Sequence, residues 1–238
     1  VDHPRNQRLH FDAESHTYTL EGKQPLISVT TVIESYFPSF DADDAIRKLK
    51  RKGSHPLAAH SPEDIKRIWD EKAKASQDAG TQLHAAIEQH LKGEPVYQAP
   101  EVLGYVEELR SKTLGTFVAS EWAIYDEEWG IAGTLDALFE TRGQYRLVDW
   151  KRSVIKRENR WESGHHPIGH LQASNYEKYS LQMALYGLIL ERKYGLPTAS
   201  LPPLIVQLHP STAFEAIEAA DRRKEVAAMV QHFCSKAR

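Results

Sequence analysis

The chain has a single cysteine, Cys234, among its 238 residues. One thiol excludes an intramolecular disulfide framework. It also excludes a cysteine-ligated zinc site or an iron–sulfur cluster supplied by this chain alone. No apolar run approaches the roughly 18 residues that a membrane span needs, and the first residues carry no signal-peptide pattern. An intracellular protein without a membrane anchor is expected. Charge imbalance is nearly absent too: 30 basic against 33 acidic residues leave a formal charge of −3. Any surface for a polyanion must therefore be local. Repeats and low-complexity segments are missing. What remains, 41% hydrophobic and 26% charged residues, is the composition of a folded protein. The length suits one sizeable core, or one core with a helical extension.

Turn and cap signals divide the chain. Leu9–Phe11 and Thr17–Leu20 read as a short hairpin around Asp12–Ser15. Ser28 starts a helix that Pro38 stops. Asp41 caps another running to Lys52, and Ser61-Pro62 opens a long one, with a break expected near Gly80 and an end at Gly93. Glu101 to Lys112 is amphipathic. From Thr116 the pattern changes: Phe117–Tyr125, Gly130–Glu140 and Gln144–Lys151 alternate as strands. Residues 152–174 form an irregular connection. A helix over Asn175–Tyr194, a strand at Leu204–Leu208 and a helix from Phe214 to Lys236 complete the reading. The expected fold is α/β, with a mainly helical N-terminal region (1–115) and a core over 116–238.

Two aspartates and a lysine stand out. In a strand Asp149 and Lys151 share a face, roughly 7 Å apart. A tight turn at Arg142-Gly143 pairs residues whose numbers sum to 285, which sets Asp136 opposite Asp149 with Cβ atoms about 5 Å apart. Facing carboxylates destabilise each other unless a cation lies between them, and such oxygen ligands suit Mg²⁺ or Mn²⁺. Lys151 would then hold a water or neutralise a phosphoryl transition state. An ordinary strand ion pair, Asp149–Lys151, is the alternative. His84 and Glu88, four apart on a helix, could form an imidazole ligand with its supporting carboxylate, or a local ion pair beside Leu83 and Ile87. Gln182 and Tyr186 have the same spacing, and by themselves read as a core-edge pair.

Asp136 followed by Asp149-Trp-Lys151 resembles the PD-(D/E)XK nuclease superfamily, in its RecB-like exonuclease branch. Gly80-Thr-Gln-Leu-His84 resembles the upstream histidine helix of that branch, and Gln182-Met-Ala-Leu-Tyr186 its downstream Gln-x-x-x-Tyr helix. Ile27-Ser-Val-Thr-Thr31 is similar to an opening shared by viral members and the mitochondrial genome maintenance exonuclease, and Leu171–Tyr186 is similar to phage nucleases. The resemblance spans roughly residues 26–190. It implies a restriction-endonuclease-like core, a central mixed sheet flanked by helices. It implies metal ligation by His84, Asp136, Asp149 and the Trp150 carbonyl, and a catalytic Lys151. Gln182 and Tyr186 would support that lysine or contact DNA, and Glu121 would be a second-metal or water-orienting residue. Arg152 stands where the family commonly has threonine. The implied activity is a Mg²⁺- or Mn²⁺-dependent deoxyribonuclease, an exonuclease on single-stranded DNA or DNA ends in replication, repair or recombination. A structure-specific or restriction-type endonuclease and a non-catalytic DNA-binding subunit are the alternatives. A cytoplasmic setting, phage or bacterial, is expected, with an organelle as the alternative, and replication or recombination proteins are candidate partners.

Between Arg142 and Arg160 seven basic residues face two acidic ones. Arg152, Lys156, Arg157 and Arg160, ending at Trp161, read as a surface for phosphates and unstacked bases. Lys48–Lys52 is a second basic run, equally suited to a helix C-terminus. His165, His166 and His170 lack neighbouring ligands and read as structural or loop residues.

Overall fold

The computed structural model describes residues 3–12, 15 and 17–236. Ala13 and Glu14 of the predicted first turn, and His16 after it, lie outside the described residues. The elements are β1 (Leu9–Asp12), β2 (Thr17–Leu20), β3 (Gln24–Ser28), α1 (Val29–Glu34), α2 (Ala42–Lys52), α3 (Pro62–Leu91), α4 (Pro100–Leu109), β4 (Thr116–Asp126), β5 (Ile131–Thr141), β6 (Gln144–Lys151), α5 (Asn175–Ile189), β7 (Leu204–Gln207), β8 (Glu215–Glu218) and α6 (Arg223–Lys236). The class is α/β, a mixed sheet flanked by helices.

The helix starts follow side-chain chemistry. Ser28, Asp41 and Ser61 each accept a hydrogen bond from the N–H three residues on, satisfying a donor that the first turn leaves open. One strand was not foreseen, and two expectations are corrected. β3 extends the N-terminal hairpin into the main sheet. α3 passes through Gly80 without a break, since glycine inside a long helix costs only about 1 kcal/mol. The last predicted helix is a strand, β8, followed by a shorter helix from Arg223.

The β5–β6 turn is as tight as its sequence suggests. Arg142 and Gly143 both have positive φ (53° and 76°), as a two-residue turn that matches strand twist requires. The ladder runs from Thr141↔Gln144 to Ala137↔Val148, the numbers summing to 285.

β4 covers one edge of β5 from Ile131 to Glu140. The other edge is shared. β3 pairs in parallel with Ile131 and Ala132, while β6 takes Ala137 to Thr141. Residues 133–136 lie between, so the sheet forks there into a β3-β2-β1 branch and a β6-β7-β8 branch.

Each face of the sheet is covered. α1, α5 and α6 bury Val32, Leu181, Leu185 and Val226 against Ile124, Leu135, Leu147 and Ile205. On the other face Leu83 and Ile87 of α3 and Val106 of α4 pack on Phe139, Val148 and Trp150. The apolar run of β7 is buried throughout, as a strand covered on both faces should be. Among the described residues no helix is long and apolar enough to cross a membrane.

Candidate metal and nucleic-acid site

The fork positions the chemistry. The β5–β6 ladder ends at Ala137↔Val148, and Asp136 and Asp149 are the first residue past its end on each strand. In β4 the pairs Ser120↔Ala137 and Trp122↔Leu135 sum to 257, which sets Glu121 level with Asp136. Three carboxylates therefore stand on three successive strands, but the group whose donor atoms lie together is His84, Glu121 and Asp136, and the expected ligand Asp149 is not part of it. Glu121 has φ of 45°, left-handed backbone inside a strand. Such a conformation costs about 1–3 kcal/mol and is typical of functional positions.

α3 brings His84 to this row. Its Nδ1 lies 3.4 Å from Glu121 Oε1 and 3.7 Å from Asp136 Oδ2. Its Nε2 lies 2.8 Å from the carbonyl oxygen of Trp150. Glu88 does not support the imidazole as its spacing suggested: its carboxylate accepts from Lys92 Nζ at 2.6 Å, and Glu121 takes its place. Trp150 serves the site through its backbone. Its N–H donates to Asp136 Oδ2 at 2.8 Å, while its indole, 1% exposed, is sealed in the core beneath α3.

Asp149 is buried and accepts from Lys151 Nζ on Oδ1 at 2.8 Å, but its Oδ2 is a buried acceptor with no partner. Burial pushes its carboxyl up to about 6; Lys151 opposes this and the Asp136 charge adds to it. Burial works against charge on Lys151 as well, but the two aspartates overcome it and hold the ammonium above its ordinary range. For His84 burial favours the neutral ring, yet Asp136 and Glu121 raise it to about 9.

The donor set fits a divalent cation. His84, Glu121 and Asp136 each offer one atom within 4.8 Å of the others. An orphaned buried carboxylate oxygen on Asp149 is a costly feature that a cation would satisfy. Hard oxygen donors with one imidazole suit Mg²⁺ or Mn²⁺.

α5 supplies the remaining walls. Gln182 Nε2 donates to Tyr186 Oη at 3.2 Å, and both residues line the cleft beside His84. Tyr186 lies so close to Gly133 that a Cβ there would come within 2.6 Å of its ring. Sequence reading assigned no role to Tyr179, whose ring lies 4.7 Å from Lys151 Nζ and whose hydroxyl is 3.3 Å from Ser153 Oγ. The signal was present: Tyr179, Gln182 and Tyr186 are spaced three and four apart, on one helical face.

The 152–174 connection is tied down by side-chain amides. Gln207 accepts from the Ile155 N–H at 2.6 Å, Asn175 from Lys156 at 2.7 Å and Gln172 from Asn159 at 2.8 Å. Its cations are divided between surfaces. Lys156, Arg160 and Trp161, the last 93% exposed, line one depression; Arg152 lines another beside Phe214; Arg157 pairs with Glu215 at 3.4 Å. His170 faces Glu225 and His166 packs on the His232 ring, and neither joins a metal cluster among the described residues.

No family model matches the chain, and no curated protein matches it. Among solved structures, one of a protein from Eubacterium rectale, provisionally named an exonuclease, is 17% identical at a TM-score of 0.46, covering 95% of this chain and 85% of that one. The crystal structure of SSO0001 is 14% identical at a TM-score of 0.36, covering 88% and 75%.

Proposed function

We propose that the chain is a metal-dependent deoxyribonuclease of the PD-(D/E)XK type, in the RecB-like branch, degrading single-stranded DNA from its ends. The observation that carries this reading is the row Glu121–Asp136–Asp149, closed by His84 on one side and Lys151 on the other. A purely structural role leaves three neighbouring carboxylates, one with an unpartnered buried oxygen, without a reason.

His84, Asp136, Asp149 and the Trp150 carbonyl would hold the ion, with Glu121 beside them. A bound Mg²⁺ or Mn²⁺ supplies charge neutralisation and a water of lowered pKa. The chain's own groups do the rest. Asp136 accepts from the Trp150 N–H and so holds the 149–150 peptide, the unit next to the one that carries the Trp150 carbonyl. Lys151, cationic and steered by Asp149 and the Tyr179 ring, neutralises charge developing on the scissile phosphate and orients the attacking water. In-line attack would leave a 5′-phosphate and a 3′-hydroxyl.

The N-terminal region would wall the site. α3 and the β1–β2 hairpin border the cleft beside His84, and the tied 152–174 segment follows Lys151. A passage bounded in this way favours threading of a free end over entry of a duplex. The test is a gel series with end-labelled linear and circular DNA, single- and double-stranded, in Mg²⁺, Mn²⁺ or EDTA. Linear single strands should shorten to oligonucleotides only with metal, and circles should resist. Efficient cutting of single-stranded circles moves the reading to an open-cleft endonuclease.

A further inference from the structure

Val154 and Trp161 are large apolar side chains that the fold leaves in water, 40% and 93% exposed, and both line one depression with Lys156, Arg160 and Asn175. The backbone under Trp161 is nevertheless fixed. Asn159 Oδ1 accepts from the Trp161 N–H at 3.2 Å, and Asn159 Nδ2 donates to the Ala173 carbonyl at 3.1 Å. The Asn159 N–H donates to Gln172 Oε1 at 2.8 Å. Just beyond Trp161 the segment closes on itself: the Ala173 N–H donates to the Glu162 carbonyl at 2.8 Å, and Ser163 bridges Gln172. Among the described residues no ring or cation lies against the indole, so its faces are open.

The depression is continuous with the carboxylate site. Val154 follows Ser153, whose Oγ lies 3.3 Å from the Tyr179 hydroxyl, and the Tyr179 ring lies 4.7 Å from Lys151 Nζ. Asn175 accepts from the Lys156 N–H at 2.7 Å and donates to the Val154 carbonyl at 3.1 Å. It stands one turn before Tyr179 on α5, about 6 Å along the axis. A strand with a phosphate at Lys151 therefore comes to Trp161 within a few nucleotides. Lys156 and Arg160 match its phosphates; the Arg160–Glu158 pair is exposed, and phosphate can replace the carboxylate. Trp161 and Val154 match a base, and only an unpaired one, because a base inside a duplex has both faces covered by its neighbours. A platform fixed in advance also lowers the ordering cost of binding.

We propose that Trp161 is a stacking platform for one unpaired base of the substrate strand, a few nucleotides from the bond cleaved, with Val154 beside the base and Lys156 and Arg160 on the flanking phosphates. The inference rests on the nuclease reading and adds that the strand is held through a base as well as through its phosphates.

The experiment uses the full chain in EDTA, so that strands stay intact, and follows the anisotropy of end-labelled strands together with tryptophan emission. The probes are oligothymidylate of about 12 nucleotides, within the usual range of single-strand sites, and an abasic strand of the same length and charge. Wild-type protein should prefer oligothymidylate, and its emission should be quenched on binding. Trp161→Ala, at a position too exposed to disturb the fold, should weaken oligothymidylate binding roughly 5- to 100-fold, the range expected when one base stack is lost, and leave abasic binding unchanged. Trp161→Phe should restore the affinity without the quench. In Mn²⁺ the same loss should appear in KM, with kcat little changed. Wild-type protein that does not distinguish the two strands, or a preference for bases that persists undiminished in Trp161→Ala, would overturn the platform and leave the nuclease reading intact. A platform that behaves as described in a protein that cleaves no DNA with any metal would overturn the nuclease reading alone.

Discussion

His84 Nε2 lies 2.8 Å from the Trp150 carbonyl oxygen, and the N–H of that same residue is held by Asp136. A contact at this distance needs a proton on Nε2, while Nδ1 faces two carboxylates. The ring is therefore an imidazolium below about 9, because Asp136 and Glu121 outweigh the burial that favours the neutral form. That proton holds the place of a metal's charge. A metal must displace it, so metal affinity should weaken as pH falls below about 9, where the competing proton is bound, and level off above. Calorimetric Mn²⁺ titrations in buffers of different ionisation enthalpy should show protons released on binding. His84→Ala should remove the part of this dependence between about 9 and 6, leaving that of Asp149 below about 6, and should retain more cleavage in Mn²⁺ than in Mg²⁺, since the softer ion tolerates a depleted ligand set. Equal loss in both metals would make His84 structural.

Asp136→Ala, Asp149→Ala and Lys151→Ala should each lower cleavage about 10²-fold or more. Metal should also stabilise the fold. At 100-fold excess over Kd the gain is about 2.7 kcal/mol, or roughly 5–10 °C for a chain of this size. The shift should vanish in Asp149→Asn, where the orphaned oxygen no longer carries charge. A full shift in that variant removes Asp149 from the ligand set.

Gly133 should tolerate no side chain. A Cβ would lie 2.6 Å from Tyr186 Cε1 and 3.2 Å from Val29 Cγ2, both in packed surroundings. Overpacking of this kind costs about 1–3 kcal/mol, a Tm loss of roughly 2–12 °C. Thermal unfolding of Gly133→Ala checks it, and an unchanged Tm would mean that Tyr186 moves freely.

The basic segment should show in salt dependence. Arg157–Glu215 and Arg160–Glu158 are exposed pairs, worth little in themselves and easily exchanged for phosphate. Neutralising Arg152, Lys156, Arg157 and Arg160 should reduce the log–log salt slope of single-stranded DNA binding by about 0.7 for each phosphate no longer neutralised. An unchanged slope would move the electrostatic surface to Lys48–Lys52.

The Arg5–Glu127 pair should govern acid stability. Burial raises the Glu127 carboxyl, but the Arg5 hydrogen bond and the Lys193 charge outweigh it and hold the group at about 2. Its contribution is present above the ordinary value near 4.5 and disappears as pH falls toward 2. Glu127→Gln should therefore lower stability at neutral pH and flatten its decline between pH 5 and 2, as read by denaturant unfolding at several pH values. Parallel curves would deny the pair any role.

Local chemistry was legible in the sequence; lateral pairing was not. The caps at Ser28, Asp41 and Ser61 and the Arg142-Gly143 turn act over a few residues, so the 285 register could be read directly. β3 escaped because Leu26 and Ile27 are a short apolar run with Pro25 beside it, and it is a strand through its lateral partners, β2 on one side and Ile131–Ala132 of β5 on the other. Glu215 to Glu218 read as part of a helix from Phe214, but β7 pairs with them. His84 was legible as a candidate, but its carboxylate partner was not: Glu88 was near in sequence, whereas Glu121 reaches the ring only through the fold.

Trp150 bears on how this protein should be dissected by mutation. The atoms it offers to the site are main-chain atoms, and its side chain is anchored elsewhere. A scan of alanine replacements would score it as a stability position and leave its N–H and C=O in place. Only a change to the peptide itself, such as an ester at the 149–150 linkage, would separate the anchor from what it holds. Conversely, a packing change beneath α3 would reach the carboxylate row through this one residue, with every charged side chain untouched.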